Sequence, residues 1–232
     1  MILLTRQDVL AHQTTVPWPE LYQIEQDLLL SLAMRAIFSD KFLRTQVAMR
    51  GGTVLHKVHL APAARYSEDI DLVVIGDRPE EHVRRALMRV LRVETNVSER
   101  RPHLELMHPQ FQFTFRNETL ATPLISFHLN EMLATKMRAL FQRRKGRDLF
   151  DLQLAVLRGA PAVLSVDTVV AAFQYYMRAE KTLVPRSEFI EHLRDCLNDR
   201  TGFCTDLKGL LRQGEDWDAQ AAEQQVLAHL PD

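Results

Sequence analysis

Two aspartates separated by a single residue lie in an apolar segment of this chain of 232 residues. The side chains of a β-strand alternate between its faces, so Asp69 and Asp71 are expected to point the same way. Neighbouring carboxylates repel each other unless a cation lies between them. Mg²⁺ binds one or two carboxylates and completes its coordination with water and substrate phosphates. The spacing therefore predicts a magnesium site with these two ligands, and Ser67, which has the same strand parity, is expected to face it.

Two adjacent glycines, Gly51 and Gly52, precede the aspartates and open a segment with a helical pattern at residues 53–60. A backbone without Cβ atoms at the start of a helix leaves its N–H groups accessible, and the helix dipole favours an anion there. Gly51, Gly52 and Thr53 are therefore predicted to bind a triphosphate. A metal site together with a phosphate site indicates nucleotide chemistry.

The composition is that of an ordinary soluble globular protein, with 46% hydrophobic and 25% charged residues and a net charge of −1. No apolar run approaches the roughly 20 residues that a membrane span requires, and the N-terminus lacks the apolar core of a signal peptide. Cys196 and Cys204 are the two cysteines, and we expect them to be free thiols. These features predict a cytoplasmic protein with no membrane partner.

The charges are unevenly distributed along the chain. Residues 130–147 contain six lysines and arginines against one acidic residue, whereas residues 205–232 contain two basic and six acidic residues. Lys136 and Arg143 are seven residues apart on a predicted helix, so they share a face and could both neutralise phosphate charge. Arg147 extends the same run. The run is typical of a polyanion-binding face, although a solvated helix surface would have the same composition.

Periodicity divides the chain into a mixed first part and a helical second part. The predicted strands are at residues 46–50, 68–75, 103–107, 111–115 and 124–127. The predicted helices are at residues 19–38, 53–60, 80–92, 130–144, 147–158, 165–178, 187–198, 203–213 and 216–229. This order predicts an α+β fold, with a small mixed sheet and its helices in residues 1–128 and a helical C-terminal domain in residues 129–232.

Four sequence blocks, in order, resemble a known family. They are GGTVLHKV at residues 51–58, RYSEDIDL at 65–72, EMLATKMRAL at 131–140 and RRKGRDLFDL at 143–152. Together they are similar to the AbiEii/AbiGii toxins of type IV toxin–antitoxin systems, which include the MenT toxins. The resemblance covers about residues 20–158 and implies a nucleotidyltransferase core like that of DNA polymerase beta.

The resemblance also implies an activity. It implies transfer of a nucleoside monophosphate from a nucleoside triphosphate to an RNA acceptor, the 3′ end of tRNA, which would block translation. Lys136 matches the functional lysine of the family and Asp148 matches its last motif, so both join Asp69 and Asp71 as predicted catalytic residues. The implied cofactors are two Mg²⁺ ions, with Mn²⁺ as a substitute, and the implied protein partner is a cognate antitoxin.

Two other functions fit the same residues. A small-molecule nucleotidyltransferase of the antibiotic-modifying kind has a similar glycine turn and Asp-x-Asp pair, and a catalytically idle nucleotide-binding regulator would keep the pocket without turnover. The basic segment at residues 130–147 favours a polyanionic acceptor, because each phosphate contact releases counterions. Strong salt dependence of acceptor binding would separate the first two, and binding without turnover would indicate the third.

Overall fold

The computed structural model describes residues 4–16, 18–92, 97–98, 102–159, 163–198 and 202–230. The chain forms two compact units. The first comprises Met1–Phe127 together with Leu210–Gly214, and the second comprises His128–Gly209 together with Glu215–Asp232. The first unit therefore includes a short segment from within the predicted domain 129–232. The functional roles that we assigned to the two predicted domains stay predictions.

The first unit contains five helices and five strands within its described residues. Its helices are α1 (Arg6–Gln13), α2 (Leu21–Ser39), α3 (Leu43–Gln46), α4 (Gly51–Val54), which continues as a π-helical turn (Leu55–His59), and α5 (Glu80–Leu91). Its strands are β1 (Val47–Arg50), β2 (Asp71–Val74), β3 (Val97–Ser98), β4 (Gln110–Phe115) and β5 (Glu118–Pro123). The long apolar face of α2 supplies much of the core of this unit, with Leu28, Met34 and Ile37 fully buried.

Three strands form the sheet that carries the aspartates. Strand β1 pairs antiparallel with β2, and Arg50 is opposite Asp71 in the register. Strand β2 pairs parallel with β3. The predicted strand at residues 68–75 begins only at Asp71, because Gly51 has a positive φ of 83° and turns the chain away from the ladder directly after Arg50. Asp69 consequently precedes the strand and has no ladder partner.

Strands β4 and β5 form a separate antiparallel hairpin. The prediction of a strand at residues 111–115 is confirmed, whereas β5 was not predicted. The predicted strands at residues 103–107 and 124–127 are wrong, since that part of the chain forms only isolated bridges from Ser126 to Met49 and Met107. Short bridges of this kind depend on tertiary neighbours, and alternation of residue types alone does not distinguish them from strands.

The second unit is helical. Its described helices are α6 (Leu129–Arg143), α7 (Gly146–Arg158), α8 (Val166–Ala179), α9 (Arg186–Asn198) and α10 (Ala219–Leu227). Helix α6 packs against α7 and α8, and α10 packs against α7. The α+β arrangement with a helical C-terminal region is therefore confirmed. No helix among the described residues has the length and apolar character needed to cross a membrane.

The predicted helix at residues 203–213 is wrong, because that segment consists of turns. Gly209 and Gly214 both have a φ of 83°. Gly209 directly precedes Leu210–Gly214, the segment that belongs to the first unit, and Gly214 is the last residue of that segment. The Tyr66 N–H donates to the Leu210 carbonyl at 2.7 Å, and Arg212 Nε donates to the Ala63 carbonyl at 2.9 Å. We call Leu210–Gly214 the return segment.

Candidate active site

The carboxylate of Asp71 lies directly over the backbone of Gly51. A Cβ atom built on Gly51 would be 1.8 Å from Asp71 Oδ2, and the φ of 83° at this position is one that residues with a side chain rarely adopt. The close approach follows from the register, because Arg50 pairs with Asp71 and Gly51 begins α4 immediately afterwards. Only glycine allows a carboxylate to lie this close to the start of α4.

The second glycine is faced by a hydroxyl and a guanidinium. A Cβ on Gly52 would be 2.8 Å from Ser67 Oγ and 3.1 Å from Arg65 Nη2. Arg65 is buried, and its Nη1 donates to the carbonyl of Tyr66 at 3.0 Å, which fixes the guanidinium in place. Bare backbone, a hydroxyl and a fixed cation together provide the groups that bind a phosphate.

Thr53, which is predicted to bind the triphosphate, has a side chain that contacts the segment before β2. The side chain is buried, and Oγ1 donates to the backbone carbonyl of Asp69 at 2.5 Å. The hydroxyl therefore holds the segment that carries the exposed Asp69 side chain close to α4. A contact between Thr53 and a triphosphate stays a prediction, now through its backbone N–H.

The donor set of the two aspartates fits a hard divalent cation. Asp69 is exposed and Asp71 is half-buried, and the glycine backbone beside Asp71 leaves space that a side chain would fill. The described residues contain no group of three or more His, Cys, Asp or Glu side chains that could hold a metal ion by themselves. A site with two carboxylates suits Mg²⁺, which keeps several waters and binds substrate phosphates.

A buried ion cluster fixes the helical segment that follows the glycines. Lys57 Nζ lies 2.5 Å from Asp27 Oδ1 and 3.0 Å from Ser31 Oγ. Asp27 also lies 2.7 Å from His12 Nε2 and accepts a hydrogen bond from Trp18 Nε1 at 3.2 Å. Burial alone would raise the pKa of Asp27, but the charge of Lys57 and the contact with His12 hold it below its usual value. Sequence reasoning missed this cluster, although an aspartate within the apolar run of α2 was a signal for it.

The second unit contains the other set of predicted catalytic residues, in a buried cluster of charges. Lys136 Nζ lies 2.7 Å from Asp151 Oδ2 and 3.4 Å from Asp148 Oδ1. Arg143 donates two hydrogen bonds of 2.9 Å to the two oxygens of Asp148. Both aspartates are completely buried, and Lys136 is 7% exposed. The two cations therefore neutralise two carboxylates, and Asp151 is the nearer of the two carboxylates to Lys136.

The basic run at residues 130–147 is divided between cations in ion pairs and exposed cations, and its role in binding a polyanion stays a prediction. Besides the two cations of the buried cluster, Arg138 pairs with Glu180 at 2.7 Å and lies over the ring of Tyr176. Arg147 is half-buried, and its role as a phosphate contact stays a prediction. Two further cations of the run, Arg144 and Lys145, are exposed. Half of the run is thus occupied by ion pairs within the second unit.

Comparison with known families decides the class of protein. The profile described as "Nucleotidyl transferase AbiEii toxin, Type IV TA system" matches residues 32–118 and 86–225, which together span most of the chain. The chain belongs to the AbiEii nucleotidyltransferase toxin family. This AbiEii protein is accordingly a nucleotidyltransferase toxin of a type IV toxin–antitoxin system, with a nucleoside triphosphate as substrate and an antitoxin as partner. The family generally uses a divalent metal ion.

The fold is shared with a solved structure. MenT4, a nucleotidyltransferase toxin from Mycobacterium tuberculosis H37Rv, is similar over 97% of this chain and 87% of its own, with a TM-score of 0.63 and 16% identity. JHP933 from Helicobacter pylori is 14% identical over 88% of each chain, with a TM-score of 0.48. A search of curated proteins finds no significant match. At these identities the similarity to MenT4 shows a shared fold and nothing about the acceptor.

The predicted site residues of this AbiEii protein fall into two sets. The set in the first unit is Gly51, Gly52, Thr53, Ser67, Asp69 and Asp71. The set in the second unit is Lys136, Arg143, Arg147 and Asp148. The contacts described above bring residues together within each set, and the catalytic role of each residue stays a prediction.

Substituting Gly51 with alanine tests the close approach of Asp71. We expect loss of at least nine-tenths of the nucleotide affinity and a fall in the free energy of unfolding of about 1–3 kcal/mol, because the Cβ would meet the carboxylate and φ is unfavourable. Gly214→Ala is the matched control, since Gly214 has the same φ and open space around its Cβ. Nucleotide titration and thermal unfolding measure the difference. Equal effects of the two substitutions would contradict a role for the contact with Asp71.

A second prediction concerns Asp206, which lies beside the start of α7. Burial raises the pKa of Asp206, against the effect of the Arg147 N–H that donates to it at 3.4 Å. A carboxyl with a raised pKa in the folded state stabilises the fold when protonated, and this contribution is lost as pH rises through that pKa. Asp206→Asn should therefore raise the melting temperature near pH 7 and leave it unchanged well below about pH 4. An equal shift at both pH values would contradict the assignment.

Proposed function

We propose that this AbiEii toxin is a Mg²⁺-dependent enzyme that transfers a nucleoside monophosphate to an RNA acceptor, the 3′ end of tRNA, and thereby blocks translation in the cytoplasm. The observation that carries the proposal is the meeting of Asp71, Ser67 and Arg65 over the bare backbone of Gly51 and Gly52. A carboxylate that could hold a metal ion, next to groups that could bind phosphate, supports this reaction. Mn²⁺ is expected to substitute for Mg²⁺, because both prefer oxygen ligands.

The chain's own residues position the triphosphate. Arg65 and the backbone of the two glycines would bind its phosphates, while Asp69 and Asp71 would hold the cations, and two ions fit the family reaction. When bound, Mg²⁺ neutralises charge on the phosphates and favours ionisation of the attacking hydroxyl. The acceptor hydroxyl would lose its proton to solvent and form a bond to the α-phosphorus, while the bond from that phosphorus to the oxygen bridging the α- and β-phosphates breaks and releases pyrophosphate. Catalysis of this kind depends mainly on positioning and charge neutralisation.

We propose Lys136 and Asp148 as functional positions because they match the last two motifs of the family. Asp148 is completely buried and receives both hydrogen bonds of Arg143, so positioning of Arg143 is a better role for it than accepting a proton. The Arg143 side chain is 48% exposed, which would allow it to contact a phosphate while it remains paired. Arg147, in the first turn of α7, would add positive charge.

The direct test is a transfer assay with purified protein, Mg²⁺, total tRNA and each α-labelled nucleoside triphosphate in turn. We expect label on tRNA, and no label when the tRNA 3′ end has been oxidised with periodate. Label on the oxidised tRNA would contradict the 3′ end as acceptor. Nucleotide binding without label on any RNA would overturn the RNA proposal and leave a small-molecule transferase or an idle regulator.

A further inference from the structure

A basic groove lies on the first unit, outside the residues of the candidate active site. It has a volume of about 490 Å³ and is lined by Phe42, Arg78, His82, Arg85, Ala86 and Arg89. Four of these six residues carry basic side chains. We call it the α5 groove, because most of its lining comes from helix α5.

The three basic side chains of α5 that line the groove share one face of the helix. His82, Arg85 and Arg89 are at positions i, i+3 and i+7, which are adjacent on a helix surface. A rise of 1.5 Å per residue spreads them over about 10 Å along the axis. The face on the other side of α5 buries Val83 and Leu87 in the core of the first unit. Packing of α5 therefore holds a row of cations toward the groove.

The acidic partners of these cations bind them weakly. Arg85 lies 2.8 Å from Glu81 one helical turn away, and Arg89 lies 2.8 Å from Asp40. The arginine side chains are 72% and 65% exposed, and ion pairs at such positions contribute little to stability. A phosphate with several negative oxygens can compete for both guanidinium groups, because arginine binds phosphate with two parallel hydrogen bonds.

The groove lies beyond one end of the β1–β2 pair, and the candidate active site lies at the other end. Arg50 pairs with Asp71 beside the glycines, whereas Val47 pairs with Val74 at the far end. The chain continues from there to Arg78, whose N–H donates to Gln46 Oε1 at 3.3 Å. Four residues of strand span about 10 Å, so a polymer longer than one nucleotide could occupy both places at once.

We propose that the α5 groove binds the phosphodiester backbone of the RNA acceptor, a few nucleotides away from the reacting end. The inference rests on the proposed function in taking RNA as the acceptor. It adds a binding site for that acceptor, built from Arg78, Arg85 and Arg89, which the motifs of the family blocks do not include. Contacts of this kind position the RNA without reading its sequence.

The test compares the arginines that line the groove with an arginine of α5 that does not line it. The groove variant carries Arg78→Gln, Arg85→Gln and Arg89→Gln. The control is Arg84→Gln, since Arg84 pairs with Glu80 at 2.5 Å with the same four-residue spacing as Arg85 and Glu81 but does not line the groove. Binding of a fluorescent RNA hairpin with a single-stranded 3′ end is measured by anisotropy over a range of salt concentrations. No nucleotide is added, so the result does not depend on turnover.

We expect the groove variant to bind the RNA on the order of tenfold more weakly, with the slope of log affinity against log salt flatter by about two. The control should bind as the wild type does. Equal affinities of the groove variant and the control would overturn the proposal, and so would weaker binding with an unchanged salt slope. Absence of RNA binding by the wild type would overturn it together with the RNA acceptor.

Circular dichroism and thermal unfolding check the fold of each protein. If the triple variant does not fold, Arg85→Gln alone is compared with Arg84→Gln, and a difference of about threefold is expected. Binding that distinguishes these variants, combined with no label transfer to RNA, would refute the proposed reaction while supporting the groove. Label transfer with no difference in binding would refute the groove alone.

Discussion

Asp71→Asn is expected to lower the rate of nucleotide transfer by about a thousandfold while preserving the fold. The substitution keeps the shape of the side chain but removes the charge beside Gly51, where we propose that the metal ion is held. Losing a group that neutralises transition-state charge typically costs several kcal/mol, and about 1.4 kcal/mol corresponds to each tenfold change in rate. Single-turnover transfer of label to RNA measures the effect directly.

The matched control is Asp77→Asn, because Asp77 is an exposed aspartate that follows the same strand. It should leave the rate within about twofold of the wild type, as surface substitutions generally do. Thermal unfolding should show a cooperative transition for the Asp71 variant, because asparagine keeps the shape of the side chain. An active Asp71 variant with normal dependence on Mg²⁺ would refute the assignment of Asp71 as a metal ligand.

Lys136→Met is expected to destabilise the protein by about 3–5 kcal/mol, the largest stability effect that we predict. Methionine removes the ammonium group that lies 2.7 Å from Asp151 and leaves that carboxylate buried without its nearest cation. Arg143 still neutralises Asp148, so the loss in free energy of unfolding comes mainly from Asp151. Chemical denaturation measures the change in the free energy of unfolding.

A double variant separates a structural role of Lys136 from a catalytic one. Lys136→Met combined with Asp151→Leu replaces the ion pair with apolar side chains, and most of the lost stability should return, as it does when buried pairs are replaced together. A catalytic role predicts that transfer activity stays low in this stable double variant. Recovery of activity with stability would assign Lys136 to the fold alone. A Lys136→Met protein as stable as the wild type would contradict the neutralising role.

The spacing of the glycines and aspartates predicted the part of the structure that local rules determine. The positive φ at Gly51 and the alternation of side chains along a strand both follow from residue types. The contact between the glycines and Asp71 could therefore be predicted from the sequence. The residue at which strand β2 begins could not be predicted, because it depends on where its partner β1 ends. The directions of the charged side chains at residues 130–147 were not predictable for a related reason. Lysine and arginine have long side chains, and whether Arg138 faces solvent or Glu180 depends on which helix packs beside it.

The return segment has a consequence for how this toxin is made. Tyr66, next to the proposed phosphate-binding Arg65, has the Leu210 carbonyl as a hydrogen-bond partner, and Leu210 also packs against the apolar cluster that includes Tyr66. On a translating ribosome, the first unit lacks these contacts until residues 210–214 have left the exit tunnel. A fragment that ends near residue 128 lacks them permanently. The nascent toxin thus gains these contacts of its first unit only after residues 210–214 have emerged from the ribosome.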